Sequence, residues 1–141
     1  MLKINLGCGE DFNDDLVGID ICNYGQIYIL DLEKDLLPFE DDSVEYIKSN
    51  HFLEHLIDPK NCLNEAWRVL KKGRQFEIKV PYGLWEGAQK PVHHQCITES
   101  WFDFLRKERN FKIYGYRCWE IVKMERVNKG AEIHCILIPK K

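Results

Sequence analysis

The first fifty residues hold four short apolar runs, at 2–6, 16–21, 26–32 and 44–49, packed too closely in sequence for ordinary connections. Each alternates or is continuously apolar over a strand's length, so each reads as a β-strand. Parallel neighbours in a sheet normally need a crossover of about a dozen residues or more, usually a helix. Here only about nine residues separate Leu6 from Leu16, and only Cys22 to Gly25 lie between the second run and the third. The stretch Leu36 to Ser43 contains Pro38 and has no room for a full helix either. A sheet built from these runs lacks most of the helices that would cover one of its faces.

Beyond residue 50 the period changes. Leu63, Ala66, Trp67 and Leu70 fall at helical spacing, and Gly73 follows Lys71 and Lys72 as a helix-ending signal. Gln75 to Val80 is a fifth strand, stopped by Pro81. A second helix is predicted from Thr98, as N-cap, to about Arg109, with Trp101, Phe102 and Leu105 on one face. Two further β runs, 111–123 and 131–138, are joined by a hairpin turn at Asn128-Lys129-Gly130. The pattern predicts an α/β fold with a mostly parallel sheet and an antiparallel C-terminal edge. The chain has 141 residues and no repeat or linker, so 1–141 is expected to be a single domain.

Charge and cysteine usage narrow the partners. Twenty Lys and Arg against 23 Asp and Glu leave a net charge of −3, which argues against a general grip on nucleic acid. No apolar run reaches the ~20 residues of a membrane helix, and no export signal opens the chain. Cys8, Cys22, Cys62, Cys96, Cys118 and Cys135 are widely spaced with no Cys-x-x-Cys, so reduced thiols in a cytoplasmic protein are expected.

The unusual residues gather at the ends of the runs, where open parallel sheets bind ligands. Gly7, Cys8 and Gly9 follow the first, Asp20 ends the second, Asp31 lies near the end of the third, and Asn50 and His51 follow the fourth. Glycines let a backbone approach a ligand closely. A carboxylate one strand away can accept both hydroxyls of a ribose, and another can accept an exocyclic amine. The dinucleotide fingerprint is incomplete, since Phe12 stands where its third glycine belongs, and this disfavours a diphosphate cradle.

Taken in order, Leu-Gly-Cys-Gly (6–9), Gly-Ile-Asp (18–20) and Asp-Leu-Glu-Lys-Asp-Leu-Leu-Pro-Phe (31–39) resemble class I S-adenosylmethionine-dependent methyltransferases. So do Asp-Asp-Ser-Val-Glu-Tyr-Ile (41–47), His-Phe-Leu-Glu-His (51–55) and Glu-x-x-Arg-Val-Leu-Lys-x-Gly (65–73), over residues 2–81 in unbroken order. The segment from Pro91 to Trp101 shares a fainter similarity. The resemblance implies a Rossmann-like, seven-stranded sheet of order 3-2-1-4-5-7-6 and S-adenosylmethionine as cofactor, with S-adenosylhomocysteine as product. It implies that Gly7, Cys8 and Gly9 pack on the methionine portion and that Asp20 holds the ribose with Ile21 against adenine. Asp31 and the Leu32 backbone would read the adenine edge, and Asn50 or His51 would reach the amino-acid end.

The methyl acceptor is not legible. His51, His55, His93 and His94 are weak candidates for a base, histidine titrating near working pH. Tyr82, Trp85 and Trp101 are candidates for a substrate mouth. His51-Phe-Leu-Glu54-His55 also spells a zinc-protease pattern, but it follows a strand end and Pro59 cuts its helix short, so no metal is expected. The alternative to turnover is a methyltransferase-like binding subunit, because members of that family usually carry covering helices ahead of the first strand. Finally, Ile4, Leu6, Val17, Ile19, Ile27 and Ile29 on poorly covered strands predict an apolar face masked by a homodimer or another chain.

Overall fold

The computed structural model describes residues 1–141. The strands are β1 (Lys3–Leu6), β2 (Val17–Asp20), β3 (Tyr28–Ile29), β4 (Val44–Asn50), β5 (Leu70–Pro81), β6 (Trp119–Val127) and β7 (Glu132–Pro139). They form one sheet in the order β3-β2-β1-β4-β5-β7-β6. The first five strands run parallel, and β7 is antiparallel to both β5 and β6. The helices are α1 (Lys60–Val69), between β4 and β5, and α2 (Glu99–Leu105) and α3 (Arg109–Tyr114), between β5 and β6. The expected sheet order is the observed one. No helix is long and apolar enough to cross a membrane.

One face of the sheet carries the core. Ile4, Leu6, Ile19, Ile47, Phe76, Ile78, Val80, Ile133, Cys135 and Leu137 pack with Leu63, Ala66 and Val69 of α1 and Phe102 and Leu105 of α2. The other face has no helix on it, as the short connections require, yet it is not apolar. Because side chains alternate along a strand, the register that buries Ile4, Ile47, Phe76 and Cys135 turns Asn5, Tyr46, Lys48, Glu77, Lys79 and His134 to the opposite face, where Asn5 is buried and donates to the Asp11 carbonyl. These residues join across strands. Tyr46 donates to Glu77 at 2.5 Å, His134 lies 2.9 Å from Glu77, and Lys48 pairs with Asp11 at 2.5 Å. The expected apolar face is corrected in part: Ile4, Leu6 and Ile19 are fully buried on the helix side, while Ile29, which the register turns to the open face with Asp20, and Ile27 stay exposed at the β3 edge. One face packed and one face polar is a pattern familiar from antiparallel sheets, and here it serves parallel strands.

Three loops replace the missing crossover helices. Between β1 and β2, Asn13 Oδ1 accepts from Asp15 and Leu16, and Phe12 folds back onto Gly18, where a Cβ would collide with it. Between β2 and β3 the buried Gln26 side chain donates to the Cys22 carbonyl (2.7 Å) and accepts from the Tyr24 amide (2.8 Å). Between β3 and β4, residues 30–43 are tied down by α1. Asn61 donates to Leu32 and Asp35, Glu65 accepts from Leu37, and Arg68 donates to Leu37, Phe39 and Asp41. Positions 61, 65 and 68 share one stripe of the helix.

Several boundaries differ from the sequence reading. The third strand shrinks from 26–32 to Tyr28–Ile29, since Gln26 turns inward to hold its loop. α1 ends at Val69 because Leu70 is already extended and pairs with Val44, leaving Gly73 (φ +75°) in a bulge. Thr98 occupies the N-cap of α2 but makes no side-chain capping bond, and α2 stops at Leu105. The predicted strand 111–123 is wrong over its first part, which is α3. Gly115, left-handed at φ +80°, closes that helix by donating to Phe111, and buried Asn110 donates to Phe104. The hairpin turn is present, with Asn128, Lys129 and Gly130 all at positive φ.

Candidate functional site

The carboxyl ends of β1 to β5 form one rim. After β1 the chain turns through Gly7 (φ +66°) and Gly9 (φ +51°), and the Gly7 and Cys8 amides both donate to the Ile19 carbonyl of β2. Gly7 must be glycine on two counts: its left-handed backbone, and the Phe52 ring lying where a Cβ would be. Asp20 ends β2, and its two carboxylate oxygens accept from the Gly9 amide (2.9 Å) and the Cys22 amide (3.0 Å). These bonds fix the carboxylate at the rim while leaving lone pairs for a ligand.

Next to Asp20 is a notch of about 150 Å³ lined by Ile21, Leu30, Asp31, Leu32, Phe52 and Leu56, with Glu33 and His55 at its margin. Asp31 is held there by the Glu33 amide (3.1 Å) and Lys34 (3.3 Å). An apolar slot with a carboxylate inside it and another beside it suits a purine nucleoside. The residues present fit the nucleoside half of the expected cofactor. On the methionine side, Phe52 lies over Gly7, and Cys8 turns its thiol toward Gly18 beneath Phe12. Burial, with the Asp20 charge second, pushes that thiol up to about 11. The thiol also donates to the Gly9 carbonyl at 3.2 Å, so it is tied to the turn.

His51 follows β4 in a left-handed conformation (φ +49°), a strain of about 1–3 kcal/mol that histidine tolerates better than most residues. Its amide donates to Lys79, and its Nε2 lies 2.7 Å from Glu132 of β7. The chain then makes a single 3₁₀ turn, Leu53–His55, in place of the helix that the His-x-x-Glu-His spacing requires. Glu54 points inward, its side chain 2% exposed and neither carboxylate oxygen hydrogen-bonded. Loss of hydration holds its carboxyl above the usual range. His51 Nδ1 and His55 Nε2 each lie 3.8 Å from Glu54 Oε1. The Glu54 carbonyl accepts from the His94 and Gln95 amides, which draws the segment after β5 across the rim and sets the His93 ring edge-on to His55 at 4.8 Å. Burial, then repulsion from His93, lowers the His55 imidazole below its ordinary value.

His51, Glu54, His55, Trp85, Lys90 and His93 thus line a cavity of about 310 Å³, and His55 is a wall shared with the purine-sized notch. The expected rim residues Gly7, Gly9, Asp20, Ile21, Asp31, Leu32, Asn50 and His51 all come together at the carboxyl ends of the strands. His94 does not line this cavity. Of the aromatic candidates only Trp85 lines it, since Tyr82 lies under Arg126 and Trp101 bonds to Gln95. Glu54 and Glu132 were not singled out from sequence as partners of these histidines; the His-x-x-Glu-His spacing was the one available signal. A further cavity, about 350 Å³, lies between Phe12, Gly18 and Gln26–Ile27. It holds no cluster of reactive groups.

The methyltransferase-domain family matches residues 5–78, just over half of the chain. No curated protein matches. Among solved structures, the chain is similar to a SAM-dependent methyltransferase from Aquifex aeolicus (16% identity, TM-score 0.67), covering 99% of this chain and 82% of that one. It is also similar to a chain in the complex between the Haloferax volcanii Trm112 methyltransferase activator and a methyltransferase (14% identity, TM-score 0.68, 99% and 83% covered). The [4+2]-cyclase SpnF shares the fold at 13% identity and TM-score 0.71, with 96% and 74% covered. At such identities these likenesses speak for the fold alone. The family match, the sheet order and the glycine turn beside Asp20 lead to one conclusion: the chain belongs to the class I methyltransferase family.

Proposed function

We propose that this chain, acting as a single domain, binds S-adenosylmethionine at the carboxyl ends of β1 to β4 and transfers its methyl group to an acceptor in the histidine-lined cavity. The observation that carries the reading is Asp20, held by two backbone amides at the end of β2 beside an apolar notch containing Asp31. Asp20 would accept the ribose hydroxyls, with Ile21 on one face of the adenine. Asp31 and the Leu32 backbone would take the adenine edge. The backbone of Gly7, Cys8 and Gly9 would lie along the methionine portion, with Asn50 and His51 at its amino-acid end. Bound there, the cofactor supplies an activated sulfonium methyl carbon. The protein's own part is to hold an acceptor in line with that carbon, and to take a proton where the acceptor carries one. His51, oriented by Glu132, is the side chain placed to do so.

The alternative, a methyltransferase-like binding subunit without turnover, is favoured by Phe52, whose ring packs against Gly7 at the turn proposed for the methionine tail. Calorimetry with S-adenosylmethionine and S-adenosylhomocysteine, followed by a methyl-donor turnover screen, separates the two readings. Binding with turnover supports the first, and binding alone the second. Absence of both ligands' binding overturns the cofactor assignment.

Two further parts of the reading concern the setting. Six free thiols suit a reducing compartment, and we place the protein in the cytoplasm. A second copy of the chain is proposed to pair through the β3 edge, where Ile27 is 81% and Ile29 50% exposed beside Ile21 and Tyr24. An edge strand meeting its own copy forms the self-complementary contact of a two-fold dimer.

A further inference from the structure

The rim holds one group of side chains that methyl transfer does not explain. Glu54 is buried with both carboxylate oxygens unpartnered, although a buried carboxylate is costly unless something satisfies it. Ligand atoms of Glu54, His55 and His93 all lie within 4.8 Å of one another. We propose that these three residues bind a divalent transition ion of the zinc class.

Two imidazoles and one carboxylate are a donor set that zinc takes with a fourth position open. At ligand distances of about 2.0–2.1 Å, tetrahedral donors stand about 3.4 Å apart, so the three side chains need to converge by about 1 Å. Neighbouring contacts prepare the site. His93 Nδ1 donates to the Ala88 carbonyl at 2.8 Å, which leaves Nε2 with its lone pair for a metal. The amides of His94 and Gln95 on the Glu54 carbonyl fix the two ligand-bearing segments against each other. His51 stays outside the set because its Nε2 is paired with Glu132. The His-x-x-Glu-His spacing, from which no metal is expected on sequence alone, pairs His55 with His51; the left-handed turn at His51 breaks the helix that pattern needs, and His93, from another segment, takes its place in the proposed set. Lys90 lines the same cavity, and its charge weakens the site for a bare cation. On the methyl-transfer reading, on which this clause rests, the open position faces the cavity proposed for the acceptor and would hold an acceptor oxygen as its anion, the proton passing to His51 on the cavity wall.

The test is titration of chelator-stripped protein with Zn²⁺ by calorimetry and with Co²⁺ by visible absorption. One ion per chain is expected, with a nitrogen–oxygen cobalt spectrum free of thiolate charge-transfer bands. Glu54→Gln and His93→Ala should each weaken binding at least tenfold, as loss of a ligand requires. Circular dichroism of the metal-free variants checks that they are folded. Should Glu54→Gln fail to fold, His55→Ala, at a half-exposed position, carries the same expectation. No stoichiometric binding, unchanged affinity in the variants, or a thiolate band from the exposed Cys22 or Cys96 overturns the proposal. Calorimetry of the stripped protein with S-adenosylhomocysteine reads the cofactor assignment separately, so either can fail without the other.

Discussion

Asp20 concentrates the cofactor reading in one carboxylate. Hydrogen bonds to a charged group are worth about 1.5–3 kcal/mol, so Asp20→Ala should weaken S-adenosylhomocysteine binding roughly tenfold or more, measured by calorimetry. Unchanged affinity would mean that the ribose lies elsewhere. A second residue-scale prediction concerns the open face. Glu77 is held below its ordinary value of 4.5, first by the Tyr46 hydroxyl that donates to it and then by His134. A depressed carboxylate contributes stability that is fully present above its ordinary value and lost as the pH falls through its folded value. The melting temperature of the wild type should therefore exceed that of Glu77→Gln near neutral pH, and the gap should close on acidification through the carboxylate range. A gap that stays constant down to the acid limit removes Glu77 from the acid response.

Helix α1 does two jobs with two stripes. Cys62, Leu63, Ala66 and Val69 enter the core, while Asn61, Glu65 and Arg68 hold residues 30–43 in place of a crossover helix. Arg68 reaches Glu65, Asp41 and two carbonyls at once, and its bond to Glu65 raises its guanidinium further above its ordinary value. Removing one partner of a largely buried pair strands the other, at about 3–5 kcal/mol for full burial. Arg68 is partly exposed, so Arg68→Ala should cost less than that, about 1–3 kcal/mol in denaturant unfolding. The same change should loosen Asp31 and Leu32, which the loop presents to the notch, and so weaken S-adenosylhomocysteine binding. A loss below 0.5 kcal/mol would show that the loop stands without this clamp. Glu-x-x-Arg was visible in the sequence as part of a resemblance; its physical role was not, because the loop it clamps lies 27 to 31 residues away in the chain.

For the molecule as a whole, the bare face of the sheet is polar away from β3, so the proposed pairing of two copies is placed at the β3 edge. Light scattering at micromolar concentration should give twice the chain mass for the wild type and a single chain mass for Ile27→Lys, a substitution at a position 81% exposed. A strictly monomeric wild type would discard the β3 pairing. Sequence alone determined the strand succession, the sheet order through the resemblance, the absence of helices around β2, and the rim residues from Gly7 to His51. These are carried by local period, by chain length between strands, and by residues that sit at strand ends wherever those strands pair. It misjudged 111–123, where Phe-Lys-Ile-Tyr alternates like a strand and Gly115 alone signalled a helix end. It also misjudged the uncovered face in part, because counting apolar residues does not say to which side the register turns them; one buried register sends Asn5, Lys48, Glu77 and His134 to the opposite face together. Only the tertiary structure decided which histidines meet a buried carboxylate. His55 and Glu54 are neighbours in sequence, but His93 arrives through two backbone amides bonded to the Glu54 carbonyl, a contact that no local pattern encodes.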